Sequence, residues 1–408
     1  MVEVTNYIDR LVAELCPDGV DYHPLGSLGN RNKGTAITAA KMRSLEPGNK
    51  DLRIFAAGST FVDTDSSNIP AKDILHGPAI IVKSRGYIGF EYYEKSFTHK
   101  NEMWSYTLDS SIVDQKFIYY YLLTQAYYLQ ELARSKSVKL PQLSVKDTDS
   151  LEVPVPPLEI QEAIVEILDK FTNLEAELEA ELEARTLQYE YYRDSLFEAL
   201  DCPRVPLGEL GKFYGGLKGK TKNDFGSSGA RYISYKNVYE NISADFTWPD
   251  FVQVKEGENQ LSLMKGDILL TGSSENMEEA GLSSVVTKEP EEKAYLNSFS
   301  ICYRLNDPNI LNPEFSKYLF RSRLARKQII RTAQGVTRFN VSKKKLANVS
   351  IPIPSLEEQQ RIVDILDRFD ALTTSLSEGL PAELAARRSQ YEYYRDQLLT
   401  FPRKGENQ

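Results

Sequence analysis

Cysteine and histidine are scarce in this 408-residue chain, with three of each. Cys16, Cys202 and Cys302 are odd in number, far apart and not arranged as CxxC, which argues against both a disulfide scaffold and a zinc site. Long apolar runs are also missing. None approaches the roughly 20 residues that a membrane-spanning helix requires, and the polar N-terminus lacks the apolar stretch of a signal peptide. A cytoplasmic protein with no membrane segment is expected. With 41% hydrophobic residues, the length suits two or three domains.

What is present is a long segment that occurs twice. The first copy reads VPVPPLEIQEAIVEILDKF from Val153 and closes with QYEYYRD at Gln188 to Asp194; the second reads IPIPSLEEQQRIVDILDRF from Ile351 and closes with QYEYYRD at Gln390 to Asp396. A repeat near 200 residues exceeds the roughly 20 to 50 of a solenoid unit and implies duplication of a whole module. Each copy opens on prolines that end a strand, and its apolar residues then recur three or four apart, as Ile164, Leu168, Phe171, Leu174 and Leu178 do. Roughly 40 helical residues at about 1.5 Å each form a rod on the order of 60 Å, whose stripe needs a partner. The reading is two antiparallel helical spacers separating two globular modules, an α+β fold with pseudo-two-fold character. Two separate amphipathic core helices are the alternative. In the second copy, Gly379 and Pro381 within SEGLPAEL should break or kink the helix.

The expected divisions are residues 1–21, a helical piece that completes the spacer; 22–152, the first globule; 153–203, the central spacer; 204–350, the second globule; and 351–408, the C-terminal spacer. The N-terminal YIDRLVAELCPDGVDYHPLGSLG parallels YRDSLFEALDCPRVPLGELG from Tyr192. Each globule is strand-rich and closes with a helix, FIYYYLLTQAYYLQELAR from Phe117 and EFSKYLFRSRLARKQIIRTA from Glu314. SVKLPQLSVKD from Ser137 aligns without gaps to GVTRFNVSKKK from Gly335, 198 residues later. The framework is duplicated whereas the loops at about 30–75 and 212–265 diverge, a pattern suited to two modules that do one kind of job on different targets.

The net charge of -9 hides an uneven distribution. Residues 158–202 hold 3 basic and 13 acidic side chains, whereas residues 203–350 hold 22 basic and 16 acidic. Acid on the spacer and base on a module are compatible with DNA contact by the modules alone. Candidate contacts are Tyr214, Lys218, Lys220 and Lys222 on a glycine-rich loop; Tyr235, Lys236 and Asn237 at a strand end; and Arg338 and Asn340, the side-chain types that best pair with guanine and adenine edges. The first globule offers Lys83, Ser84 and Arg85 at a strand end, with Lys139 beyond them. Tyr191, Tyr192, Tyr393 and Tyr394 on the spacers are candidates for partner contact, or for packing between the rods.

Apparent enzyme signals fail. GGLKGKT at Gly215 to Thr221 resembles a phosphate-binding loop, but Tyr214 stands where the pattern requires glycine. NPEF at Asn312 to Phe315 resembles a methyltransferase tetrapeptide with Glu314 in place of proline; the other copy reads DQKF, so Asn312 and Asp114 are read as helix N-caps. Pro249, Asp250, Glu291 and Lys293 fit a nuclease pattern only loosely.

The paired helical segments, the two QYEYYRD blocks, LCPDGVDYHPLGSLG, VPLGELGKFYGGLKGKTKNDF and YISYKNVY together resemble the specificity subunit of type I restriction-modification systems over nearly the whole chain. The resemblance implies two target-recognition domains, each reading one half of a bipartite double-stranded DNA site, separated by antiparallel helices. It implies a non-catalytic subunit that assembles with methyltransferase and restriction subunits, on which S-adenosylmethionine, ATP and Mg are expected; no cofactor or metal is expected on this chain. A protein-binding coiled-coil adaptor without DNA readout, or a self-contained nuclease or methyltransferase, are the competing readings.

Overall fold

The computed structural model describes residues 2–45, 50–137, 139–373 and 379–405. It divides into two compact units, one of residues 1–178 with 384–408 and one of residues 179–383.

Unit 1 begins with α1 (Val2–Leu15). Its main sheet is antiparallel and contains β1 (Gly29–Lys33), β2 (Ala79–Lys83), β3 (Gly89–Tyr93) and β4 (Trp104–Leu108), in the order β1-β4-β2-β3. The AIIVK run of β2 is buried along its whole length, and the two-residue period of a strand divides it between two cores. Ile80 and Val82 join the helices, whereas Ala79 and Ile81 meet Phe55 and Phe97 of a second sheet. In that sheet Leu52–Phe55 runs parallel to Ser96–His99.

Helix α2 (Gln115–Lys136) is capped by Asp114, whose carboxylate accepts from the amides of Lys116 and Phe117 at 2.7 and 3.0 Å. Strand Glu152–Pro154 then pairs antiparallel with Tyr22–Pro24. Prolines end the pairing, and α3 (Leu158–Glu198) follows as one helix of 41 residues, its first half in unit 1 and its second half in unit 2.

Unit 2 repeats the plan. β5 (Gly211–Gly215), β6 (Ile268–Thr271), β7 (Ser283–Val285) and β8 (Ser300–Leu305) pair antiparallel in the order β5-β8-β6-β7. Ile268 and Leu270 face the helix-side core and Leu269 the opposite one. A second sheet again holds one parallel pair, Ala230–Ile233 beside Tyr295–Leu296.

Where unit 1 has one long helix, unit 2 has two, α4 (Pro313–Leu319) and α5 (Arg323–Ile330). Asn312 caps α4 and Pro313 opens it, as the sequence predicts. The single helix expected from Glu314 is interrupted because Ser322 caps α5 and the Asp194 carboxylate accepts from the Arg323 amide at 2.8 Å. An uninterrupted helix has no such free amides to offer.

The second spacer copy is likewise two helices, α6 (Leu356–Thr373) and α7 (Gly379–Leu398). Of the SEGLPAEL segment, Ser377 and Glu378 lie outside the described residues. Gly379 has φ +80°, and a Cβ there would lie 2.5 Å from the Ala371 carbonyl oxygen, so glycine is required.

The helical stripes pack as antiparallel pairs inside each unit. In unit 1, Phe171 of α3 stacks on Tyr394 of α7 at 5.8 Å and Glu175 pairs with Arg388 at 2.6 Å. In unit 2, Tyr192 of α3 stacks on Phe369 of α6 at 5.5 Å. Leu174, expected within the stripe, is 47% exposed. Beyond α7 the chain is held to unit 1 by a single parallel bridge between Val20 and Arg403: the Val20 amide donates to the Pro402 carbonyl at 2.8 Å and the Lys404 amide to the Val20 carbonyl at 3.1 Å. Phe401 is buried there, 6.2 Å from Phe117.

Candidate nucleic-acid interface

In unit 2, two of the sequence clusters come together. Tyr235, Lys236 and Tyr239 lie on a short helix capped by Ser234. Arg338 precedes strand Phe339–Val341, which pairs on one side with Ser273–Ser274 and on the other with Ala333–Gln334. These residues, with Ser273 and Glu275, line a cleft of about 430 Å³. Tyr235 donates its hydroxyl to the Ser273 carbonyl at 2.8 Å, and its ring stacks on Tyr239 at 6.4 Å. Arg338 is exposed and donates from Nε to the Ser273 hydroxyl at 3.1 Å.

Two arginines that the sequence reading overlooked hold the walls of this cleft. Arg321 donates to the carbonyls of Ser283, Val238 and Tyr239 at 2.7, 3.1 and 3.1 Å, which fixes the short helix. Arg326 donates to the carbonyls of Gly281, Glu278 and Ala280 at 2.6, 2.7 and 2.9 Å, which fixes the opposite wall. Burial lowers the pKa of each to about 10, so both remain cationic at neutral pH. In RSRLARK they look like surface cations; only the turn at 277–282 folding over α5 reveals their role.

Other candidates have internal duties. Asn237 is fully buried, its amide donating to the Asp245 carbonyl at 2.6 Å and its side-chain oxygen accepting from the Asp245 amide at 3.1 Å. Lys220 pairs with Glu258 at 2.6 Å and donates to the Gln253 carbonyl, with only 4% of its side chain exposed. It therefore braces its loop rather than reaching outward, whereas Lys218 and Lys222 are exposed. Tyr214 packs beside Ile233, Leu269 and Cys302 with the Arg304 guanidinium 6.0 Å from its ring. Asn340 is exposed opposite Ser273. Lys343, Lys344 and Lys345 add three exposed cations on the turn that follows.

Unit 1 builds the matching edge from different side chains. Lys83 is not a free cation: it pairs with Glu91 at 2.7 Å, donates to the Gly58 carbonyl at 2.9 Å and is nearly buried. Ser84 is buried and donates to the Glu102 carbonyl at 2.7 Å. Both belong to the end of a core strand, where cross-strand partners consume polar groups. Arg85 is exposed and bridges antiparallel to Gln142, which lies 198 residues before Asn340. The loop is stapled by Gln130, whose side-chain oxygen accepts from the Ile88 amide at 2.8 Å while its nitrogen donates to the Gly86 carbonyl at 3.3 Å. Tyr87, held at its tip, is 77% exposed, and Lys139 is exposed on the paired segment.

The four spacer tyrosines divide. Tyr192 and Tyr394 stack on the opposing helix, whereas Tyr191 and Tyr393 are 69% and 59% exposed, each set edge-on to its neighbour. Their equivalence in QYEYYRD gives each unit one outward aromatic.

No helix among the described residues is long and apolar enough to cross a membrane. The family model for the type I restriction modification DNA specificity domain matches residues 17–184 and 202–386. A type I restriction enzyme specificity subunit of Escherichia coli is 35% identical, the alignment covering 98% of both chains. A putative type I restriction enzyme specificity subunit of Haemophilus influenzae is 31% identical over 71% of this chain and 73% of its own. The fold is similar to the crystal structure of a type I restriction-modification S subunit from M. genitalium, with TM-score 0.52 and 18% identity, covering 93% of this chain and 96% of that one. A chain from a structure of type I restriction-modification complex assembly and conformational transition aligns with TM-score 0.61 and 14% identity, covering 93% and 97%. Duplicated units, a helix common to both and a match on each half together place this chain in the family of type I restriction-modification DNA specificity subunits.

Proposed function

We propose that residues 22–152 and 204–350 are two DNA-reading modules, each recognising one half of a bipartite double-stranded site, and that the spacer helices set the unread gap between the halves. The observation that carries this is a duplicated framework with unlike tips. Both units pair the end of the third main-sheet element with a returning segment, at Gln142 and at Asn340, yet one edge presents Arg85 and Tyr87 and the other Arg338 and Lys236. Exposed cations suit phosphate and base contact, and major-groove halves about one helical turn apart suit two similar readers.

In this reading the chain confers specificity and contributes no catalytic group. Methyltransferase and restriction subunits bring S-adenosylmethionine, ATP and Mg, and the exposed Tyr191 and Tyr393 contact two copies of one partner type. The test is to exchange residues 22–152 for another recognition module in the intact operon and map methylated sites. One half-site should change and the other persist; a methylome altered in both halves would refute independent readers.

A further inference from the structure

We propose that the unit 2 cleft is a preformed guanine-reading site and that Arg338 makes the contact. This rests on the DNA-reading role given above and assigns its chemistry at one place.

The Arg338 guanidinium is anchored on one side only. Its Nε is occupied by the Ser273 hydroxyl at 3.1 Å, while neither Nη has a protein partner among the described residues. A guanidinium pinned through Nε presents its remaining fork in one orientation, and that fork matches the O6 and N7 acceptors of guanine in the major groove. The backbone beneath it is equally constrained. Gly335 has φ +146°, a Cβ there would stand 1.9 Å from the Arg338 carbonyl oxygen, and strand Phe339–Val341 is paired on both edges. Arg338 therefore lies on a tight turn rather than a free loop.

The surroundings decide between base and phosphate. Glu240, Glu275 and Glu279 also line the cleft, and Lys236 is engaged by Glu240 at 3.6 Å. Carboxylates repel a phosphate but tolerate a base edge, and they accept from the exocyclic amine of cytosine. Phosphate contact fits the exposed lysines at 343–345, none of which is ion-paired among the described residues. Arg321 and Arg326 act as positioning residues, because they hold the two walls through carbonyl oxygens only. Unit 1 has Leu123 and Tyr128 at the equivalent positions, 198 residues earlier, so the device belongs to one half-site alone.

The experiment is methylome mapping and competition binding with the full chain assembled with the methyltransferase subunit of its operon. Arg338→Ala and Arg338→Lys are compared with the unaltered protein. Both should relax one G·C position in one half-site, the alanine variant by about ten- to a hundredfold, and leave the other half-site unchanged. Ser273→Ala, which removes only the Nε acceptor, should relax the same position by less while the thermal unfolding of the chain is preserved. Weakening that is uniform across sequences and restored by lysine would make Arg338 a phosphate contact and overturn the inference. An unchanged motif would overturn it too. If the unaltered complex shows no sequence preference at all, the DNA-reading role itself fails, and this inference with it.

Discussion

The Gln161 side chain accepts a hydrogen bond from the Asp114 amide at 2.8 Å, and in so doing fastens the start of α3 to the cap of α2. Its nitrogen donates to the carbonyls of Ile112 and Pro156 at 3.2 and 2.7 Å. Gln359 repeats all three bonds, with Asn312, Ile310 and Pro354, at 2.7, 2.9 and 3.0 Å. Both glutamines are fully buried.

Replacing either with alanine should leave a buried amide and two carbonyls unmatched and cost about 2 to 4 kcal/mol. Denaturant unfolding of Gln161→Ala and Gln359→Ala measures this. A loss below about half a kcal/mol would mean that water substitutes for the amide.

A second repeated bond joins each unit's helix to its spacer. Tyr120 donates to Asp169 at 2.5 Å and Tyr318 to Asp367 at 2.6 Å. Burial first, and the facing carboxylate second, push both hydroxyls above the usual tyrosine range, so they stay protonated donors through mildly alkaline pH. Tyr120→Phe and Tyr318→Phe should each cost about 1.5 to 3 kcal/mol, the range for a bond to a charged acceptor, with no change in the DNA motif. Methylome mapping beside thermal unfolding checks both halves of that statement.

His99 is buried between the Lys100 carbonyl and the Ser105 hydroxyl, each 3.2 Å from a ring nitrogen. Burial lowers its pKa to about 4. The unfolded chain, with an imidazole pKa near 6.5, takes up the proton first as pH falls. Its contribution to unit 1 is therefore full above about pH 6.5, declines below it and levels near pH 4, by roughly 3 kcal/mol in all. His99→Gln should flatten the stability profile between pH 5 and 6.5, where carboxylates contribute least; an unaltered slope would assign the acid sensitivity elsewhere.

Four residues inserted between Leu174 and Arg185 of α3 advance the helix by about 6 Å and turn it about 40° beyond a full rotation. Both halves of the recognised site should persist while the preferred gap lengthens. Altered half-sites would show instead that the spacer shapes the readers.

The helical framework was legible because its signals are local. Apolar residues recur at helical spacing, Asp114 and Asn312 announce caps, and a constant offset of 198 residues aligns the copies. The interface was less so, because burial of a polar side chain depends on partners distant in the chain. Lys83 ends an apolar strand and looks outward in sequence, yet Glu91 on the adjacent strand takes its ammonium. Lys220 is consumed by Glu258 in the same manner. Arg326 escaped notice for the opposite reason, since nothing within α5 indicates that a turn some 45 residues earlier lies over it. Arg338 and Tyr235 were recognisable by residue type, but their meeting at Ser273 is a product of strand pairing.

The bridge between Val20 and Arg403 also has a temporal meaning. Residues 179–383 form a contiguous unit and can close as soon as they leave the ribosome, whereas the unit begun at α1 must wait for Phe401 to reach Phe117 and for Pro402 and Lys404 to reach Val20. The unit begun first is thus completed last, and a chain stopped before Phe401 would carry one unit with all its contacts and one without the bridge to Val20 and the packing on Phe117.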